Sequence, residues 1–287
     1  MPVQRLSEAH SISLLYHDIF GYPMRESELA RWTGGKALRL TRARPRVEAS
    51  SGYFFLKNRG ELVSQRAGRE NASRKMMKVL SHAKYIFEEN KVILMVGITG
   101  SLGMAAAHEH SDIDLLVVTR AGRLWSTRAK IIFSLLKHKV AIRRAGVAKQ
   151  GDKLCTNIWM DESDLVVHEH NAYTAHELAQ IVPLINREST YEKLMAVNSW
   201  ILDYWPNSVV SSMKRVAREK QNHTTFYMLH STLEKVAYFL QRLYMSRKIT
   251  REIVTPTRAF FHPFDWSKKV IKELETRGVL DKSVKSS

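Results

Sequence analysis

The 287-residue sequence predicts a mixed α/β protein of the α+β type. Short apolar runs at 92–96 and 115–118 are typical of buried strands. Over most of the remaining chain, apolar residues recur at helical spacing. The pattern divides the chain into an N-terminal unit over 1–67, a linking helix over 68–90, a mixed-sheet core over 91–170 and a helical region over 171–287.

The charge of the chain favours polyanionic partners. Its 45 lysines and arginines stand against 28 acidic residues, which gives a formal net charge of +17. Nucleic acid is therefore the first predicted partner, and an anionic membrane surface is the second. The one cysteine, Cys155, excludes an intramolecular disulfide and fits a reducing compartment. Because no signal core or membrane span is visible, we expect a cytoplasmic protein without a membrane segment.

The N-terminal unit has the outline of a winged helix. Helical spacing predicts helices over 6–20 and 26–32 and a basic third helix from about Lys36. The segment YFFLKNRGELVSQR then predicts two strands about the turn at 58–60. In a winged helix the third helix contacts nucleic acid, which makes Arg39 and Arg42 candidate contacts. Since Pro45 interrupts this helix, a small helical cap with a solvated basic side remains the alternative.

The stretch GITGSLGMAAAHEHSDIDLLVV, residues 97–118, carries the chemistry of the predicted core. It is predicted to form a strand end, a Gly100-Ser101 turn, a short helix and a second strand. Side chains alternate along a strand, so Asp112 and Asp114 are expected on one face. Paired hard oxygen ligands of this kind suit Mg²⁺ or Mn²⁺. Backbone amides of the turn and the Ser101 hydroxyl are expected to bind a triphosphate.

The spacing of these residues resembles the signature of the polymerase-beta-like nucleotidyltransferase superfamily. Gly-Ser, ten residues and Asp-x-Asp match at Gly100, Ser101, Asp112 and Asp114. The resemblance implies a nucleotidyltransferase mixed-sheet core that binds Mg²⁺ or Mn²⁺ through the two aspartates. It also implies that a nucleoside triphosphate lies against Gly100, Ser101 and Ser111. The implied reaction moves a nucleoside monophosphate to an acceptor hydroxyl, with loss of pyrophosphate.

The sequence departs from the superfamily pattern at two places. Leu102-Gly103-Met104-Ala105 follows the Gly-Ser pair, where small members often have a small residue and then Arg-Gly. The superfamily also has a third carboxylate on a later strand, but the candidate strand at 154–160 holds Asn157 and no acid. An amide can ligate a metal but cannot act as a base. The flanking candidates for this carboxylate are Asp152, Glu162 and Asp164, and the alternative is that none fills the role.

The segment after the aspartates is basic. No acid occurs between Asp114 and Asp152, and the cations of this interval include Arg120, Arg123 and Arg128. A solvated amphipathic helix is one interpretation. Because the acids usual on a solvated face are absent, we favour a channel for a nucleic-acid backbone or a triphosphate tail.

The C-terminal region is predicted to be mostly helical. Asn171 or Thr174 is expected to cap its first helix. Tyr173, His176 and Glu177 are placed to reach a nucleotide, although core packing or capping is the favoured role for each.

Two functions remain open from the sequence. The first is a Mg²⁺-dependent or Mn²⁺-dependent nucleotidyltransferase that acts on RNA or DNA. The second is a catalytically degenerate protein of the same fold that binds nucleic acid or regulates a partner. An acid within ligand reach of Asp112 and Asp114 favours the enzyme, whereas Asn157 alone there favours the binding protein. The oligomeric state is left open.

Overall fold

A computed structural model describes residues 6–143, 151, 153–209, 232–246, 253–261 and 266–282. The strands are β1 Met24–Arg25, β2 Leu38–Leu40, β3 Val47–Ser50, β4 Tyr53–Leu56, β5 Ile93–Ile98, β6 Ile113–Thr119, β7 Leu154–Asp161, β8 Val182–Asn186, β9 Ile253–Val254, β10 Arg258–Phe260 and β11 Val279–Asp281. The helices are α1 Glu8–Asp18, α2 Glu26–Arg31, α3 Glu61–Glu88, α4 Gly100–Gly103, α5 Leu124–Lys137, α6 Ala172–Ala179, α7 Thr190–Val197, α8 Ile201–Tyr204, α9 Thr232–Ser246 and α10 Trp266–Thr276. The mixed α+β class is therefore confirmed.

A six-stranded sheet forms the centre of the fold, in the order β8-β5-β6-β7-β10-β9. Among the described strands of this sheet, only β6 and β7 pair in parallel, and the helix α5 lies between them in the chain. The other neighbours in this sheet are antiparallel. Every residue of β5 is buried, because helices cover both faces of the sheet. Apolar side chains of α3 and α5 pack on one face, and those of α1 and α6 belong to the core on the other.

This pairing brings the ends of three strands together at one end of the sheet. Strands β6 and β7 both begin there, with Ile113 opposite Leu154 and Asp114 opposite Cys155. Strand β5 is antiparallel to β6 and ends at the same end of the sheet, with Ile98 opposite Leu115. The turn after β5 and the first residues of β6 and β7 therefore meet.

The prediction of a third helix in the N-terminal unit is wrong. Arg39 lies in β2, which pairs with β11 near the other end of the described chain, and Arg42 follows β2 as an exposed residue. The hairpin is also displaced: β3 and β4 turn at Ser51-Gly52, where both residues have positive φ. A two-residue turn of this kind matches the twist of a hairpin. The residues after Gly60 begin α3, so the linking helix starts earlier than predicted.

The C-terminal region is less helical than predicted. Strand β8 pairs with β5, and β10 pairs with β7, so this region supplies both edges of the central sheet. Pro183 is compatible with β8 because an edge strand leaves one side of its backbone unpaired. Of the two predicted caps, Asn171 caps α6, since its side-chain oxygen accepts the backbone N–H of Thr174.

Across the described ranges, no helix combines the length and the apolar character needed to cross a bilayer.

Candidate functional site

The turn after β5 packs directly against the aspartate of β6. Gly100 has φ of +60°, in the left-handed region that favours glycine. A Cβ atom at this position would lie 2.7 Å from Oδ2 of Asp114, a distance that real contacts do not reach. The backbone N–H of Thr99 donates to the carbonyl of Asp114 at 3.0 Å, which holds the two segments together. Only glycine therefore permits this approach without displacement.

Asp112 and Asp114 lie together at the start of β6, as the alternation of the strand predicts. Ligand atoms of these two aspartates and of Cys155 lie within 4.8 Å of one another. Burial and, second to it, the charge of Asp112 raise the pKa of Asp114 to about 7. The negative charge of Asp114, the aspartate next to the turn, is therefore incompletely compensated.

Arg143 is the cation that compensates Asp112. Its guanidinium donates to Oδ2 of Asp112 at 2.7 Å and lies 3.7 Å from Sγ of Cys155. A backbone bridge between Ile142 and Leu154 places this arginine beside the first residue of β7. Arg143 belongs to the basic interval of the sequence, but no local pattern distinguishes it from its neighbours.

The third-strand position is occupied by an amide. Asn157 is buried in β7 and donates from Nδ2 to Oδ1 of Asp114 at 2.9 Å. The contact stabilises the charged form of Asp114, but it gives the site no third carboxylate.

Two of the predicted third carboxylates lie at the opposite end of β7. Glu162 accepts the backbone N–H of Ala121, and Asp164 pairs with Arg258 at 2.6 Å. Glu162 follows Cys155 by seven positions, a distance of about 23 Å along a strand. Because β7 begins at the site, acids that follow its last residue cannot reach Asp112 and Asp114. The third candidate, Asp152, lies outside the described residues.

Glu177 is the acid from another element whose charge is coupled to the aspartate pair. It lies on α6, and its Oε1 accepts Nε2 of Gln180 at 2.7 Å. Burial raises the pKa of Glu177 to about 8, and the charge of Asp114 contributes to the increase. The carbonyl of Gln180 lies 3.1 Å from the Cβ that Gly103 lacks, so the end of α6 packs closely against α4. The sequence favours core packing or capping for Glu177, and this coupling to Asp114 depends on the tertiary fold.

The two serines of the motif have different environments. Ser101 is half-buried in α4, and its carbonyl accepts the backbone N–H of Ala106 at 2.8 Å. The hydroxyl of Ser111 accepts the backbone N–H of His108 at 2.9 Å, which closes the loop before the aspartates. Ser111 thus shapes the approach to Asp112.

In the part of the chain that the structure describes, Arg120, Arg123 and Arg128 make no contact with Asp112 or Asp114, whereas Arg143 of the same basic interval does. Arg120 follows the far end of β6, about 20 Å along the strand from Asp114, and pairs with Glu188. Arg128 is half-buried, lies 4.7 Å from the ring centre of Phe261 and donates to Gln241. Arg123 is exposed immediately before α5. Helix α5 follows the last residue of β6, and it therefore begins at the end of the sheet opposite the aspartates.

The chain was compared with known proteins. No family model, curated protein or solved structure matches it. The donor atoms at the site are therefore the basis for assigning its chemistry.

The donor set fits a hard divalent cation. The oxygens of Asp112 and Asp114 are the ligands that Mg²⁺ and Mn²⁺ prefer. Cys155 does not suit such an ion, because burial raises the pKa of its thiol and keeps the soft sulfur protonated. The pKa of Asp114 is raised by the neighbouring negative charge, which a bound cation would neutralise. Asp112 and Asp114 are thus the residues that would hold the ion.

Proposed function

We propose that this chain is a metal-dependent nucleotidyltransferase, built on the nucleotidyltransferase mixed-sheet core that its motif resembles. The observation that carries the proposal is the closeness of the Gly100 turn to Asp114, since a Cβ there would lie 2.7 Å from the carboxylate oxygen. This contact puts a turn suited to phosphate beside two carboxylates suited to a metal. The reaction moves a nucleoside monophosphate from a nucleoside triphosphate to an acceptor hydroxyl.

Each residue at the site has a distinct part in this proposal. Asp112 and Asp114 hold Mg²⁺ or Mn²⁺, which when bound neutralises phosphate charge and increases the acidity of the acceptor hydroxyl. Backbone amides after Gly100 and the Ser101 hydroxyl bind the triphosphate. Arg143 holds Asp112 in place through its 2.7 Å hydrogen bond.

Glu177 is the proposed acceptor of the proton from the attacking hydroxyl. Its pKa of about 8 lies near neutral pH, where a general base is most effective. Asn157 cannot serve this purpose because an amide does not take up a proton at neutral pH. Glu177 would therefore replace the third carboxylate that β7 lacks.

Nucleic acid is the proposed acceptor class. The net charge of +17 supports it, because a basic protein attracts RNA and DNA at long range. Arg39 and Arg42 are both exposed in the N-terminal unit and are available for phosphate contacts. They do not lie on a groove-reading helix, so we propose contact with the backbone and not with the bases.

A degenerate binding protein is the second candidate. It is favoured by Asn157 at the third-strand position and by Arg143 on Asp112, because a cation and an amide already contact the two carboxylates. In this case Asp112 and Asp114 would be structural, and the chain would bind nucleic acid without nucleotide transfer.

Label transfer from α-labelled nucleoside triphosphates tests the proposal. The full chain is incubated with each nucleotide, Mg²⁺ or Mn²⁺, and RNA or DNA. Transfer should fall to background in Asp112→Asn/Asp114→Asn, whereas Glu109→Gln, an exposed acid in the loop before the motif, should remain active. Glu177→Gln should lower kcat by roughly 10²–10⁴-fold if it acts as the base. Nucleic-acid binding without transfer by the unmodified chain would support the second candidate.

A further inference from the structure

A cleft lies beside α4, the helix whose first residue contacts Asp114. Its volume is about 570 Å³, and residues of α2, α3 and 102–105 line it. Helix α4 has four residues, which is about 6 Å of helix. Gly100 at its start contacts Asp114, while Leu102 and Met104 form a wall of the cleft. The cleft is therefore about one helical turn from the aspartate pair.

The lining of this cleft carries more positive than negative charge. Its charged residues are Arg25, Arg31, Arg66, Arg74, Lys78, Glu28 and Glu70. Both acids are already paired: Glu28 with Arg66 at 2.7 Å, and Glu70 with Arg66 and Arg25. Among the residues that the structure describes, no carboxylate lies within 4.0 Å of the cationic groups of Arg31, Arg74 and Lys78. The cleft thus has three cations without an acidic partner.

Arg74 and Lys78 are neighbours on one face of α3. Residues four positions apart on a helix lie side by side, and two like charges in this arrangement repel each other. Ser73 and Met77 share the face, so this part of α3 presents cations, a hydroxyl and an apolar side chain to the cleft. A bound anion would relieve the repulsion between Arg74 and Lys78.

The third unpaired cation, Arg31, is held in position. It donates to the carbonyls of Ala179 and Ser208, and its guanidinium lies 4.8 Å from the ring centre of Trp32. These partners are neutral, so they orient the guanidinium without cancelling its charge. Trp32 and Tyr22 also border the cleft, but both side chains are buried.

We propose that this cleft binds a phosphate-bearing small molecule. A volume of about 570 Å³ is within the range of small-ligand pockets, roughly 300–1,000 Å³. Arg31, Arg74 and Lys78 supply the charge for the phosphate, and Met77 and Met104 supply apolar contacts for the remainder of the ligand. The proposal does not depend on nucleotidyl transfer, because the cleft needs neither Asp112 nor Asp114.

Calorimetric titration of the full chain in the presence of a metal chelator tests this proposal. The probes are adenosine 5′-monophosphate and inorganic tripolyphosphate, which separate a nucleotide from phosphate without a nucleoside. The expected result is saturable binding of at least one probe. Binding should weaken about tenfold or more in Arg74→Gln and in Lys78→Gln, because each removes a charge-assisted contact.

The matched control is Lys75→Gln, an exposed lysine on α3 that does not line the cleft. It should bind like the unmodified chain, and so should Asp112→Asn/Asp114→Asn, which disables the proposed transfer site. Equal weakening in Lys75→Gln would overturn the proposal, because the effect would then come from overall charge. Absence of binding, or binding of an RNA oligonucleotide but neither probe, would also overturn it.

Discussion

Gly100 and Asp114 determine each other's conformation. The turn places the glycine at φ +60°, and the carboxylate occupies the space that a side chain would need. Asp114 accepts a hydrogen bond from Asn157, and the neighbouring charge of Asp112 repels its carboxylate. The carboxylate is therefore sensitive to small displacements of the turn, even when neither aspartate is changed.

Replacing Gly100 by alanine should destabilise the fold and remove any nucleotide transfer. A non-glycine residue in the left-handed region costs roughly 1–3 kcal/mol, and the contact with Asp114 adds to that cost. Urea unfolding followed by circular dichroism measures the change. The control is Gly68→Ala in α3, where a Cβ would meet nothing within 4 Å. Alanine there should stabilise the helix by about 0.5–1 kcal/mol, and equal losses in both variants would contradict the interpretation of Gly100.

At the scale of elements, α3 joins the N-terminal unit to the central sheet. Its apolar face packs against the sheet, with Met76, Leu80 and Phe87 buried. Toward the N-terminal unit it presents Arg66, whose side chain is only 1% exposed. Arg66 contacts Glu28, Glu70 and the carbonyl of Pro23. One helix thus uses hydrophobic packing toward the sheet and a buried ion pair toward the N-terminal unit.

Replacing Arg66 by methionine should therefore cost about 3 kcal/mol of unfolding free energy, because removal of the buried arginine leaves the two half-buried acids without this partner. Glu28 and Glu70 keep other hydrogen-bond donors, which places the cost at the lower end of the range for buried pairs. Urea unfolding again measures it. Lys84→Met in the same helix breaks the exposed pair with Glu88 and should cost about 0.3–0.5 kcal/mol. A loss in Arg66→Met as small as that in Lys84→Met would show that the buried pair is not needed.

At the scale of the whole molecule, two buried histidines join α1 to α6. Nε2 of His17 lies 3.1 Å from Nε2 of His176, and Nδ1 of His17 lies 2.9 Å from the carbonyl of Ser13. Since a carbonyl only accepts, His17 donates from Nδ1, and its Nε2 accepts from His176. Burial lowers the pKa of His17 to about 4 and that of His176 well below its usual value, so both rings are neutral near pH 7.

The contribution of His17 to stability should be lost as the pH is lowered from 7 to 4. The unfolded chain takes up a proton near pH 6.5, whereas folded His17 resists protonation down to its pKa of about 4, so unfolding binds a proton at this residue. The loss from His17 is roughly 3 kcal/mol. Asp114 and Glu177 act in the opposite direction, because their raised pKa values let the folded chain bind protons first.

Urea unfolding of the unmodified chain and of His17→Gln at a series of pH values isolates the histidine. The difference in unfolding free energy between the two chains should fall by that amount between pH 7 and pH 4. The difference for the exposed His82→Gln should stay constant, and a constant difference for His17→Gln would contradict this origin.

The local features of the site follow from the sequence alone. Strands β5 and β6 occupy the predicted apolar runs, and the alternation of β6 places Asp112 and Asp114 together. The Gly100 turn is also predictable, because its signal lies in the composition of a few neighbouring residues. Strand alternation and turn chemistry act within one segment, and therefore a sequence pattern predicts them.

The rest of the arrangement depends on segments that are distant in sequence. Strand β2 forms because β11 pairs with it, and β8 because β5 does, although neither has a strong strand pattern of its own. Arg143 contacts Asp112 only through the pairing at the start of β7, and the pKa of Glu177 depends on Asp114 only through the packing of α6. Burial and long-range pairing determine the charge environment of a side chain. These are properties of the folded chain, and so the tertiary structure alone decided which cations and acids belong to the site.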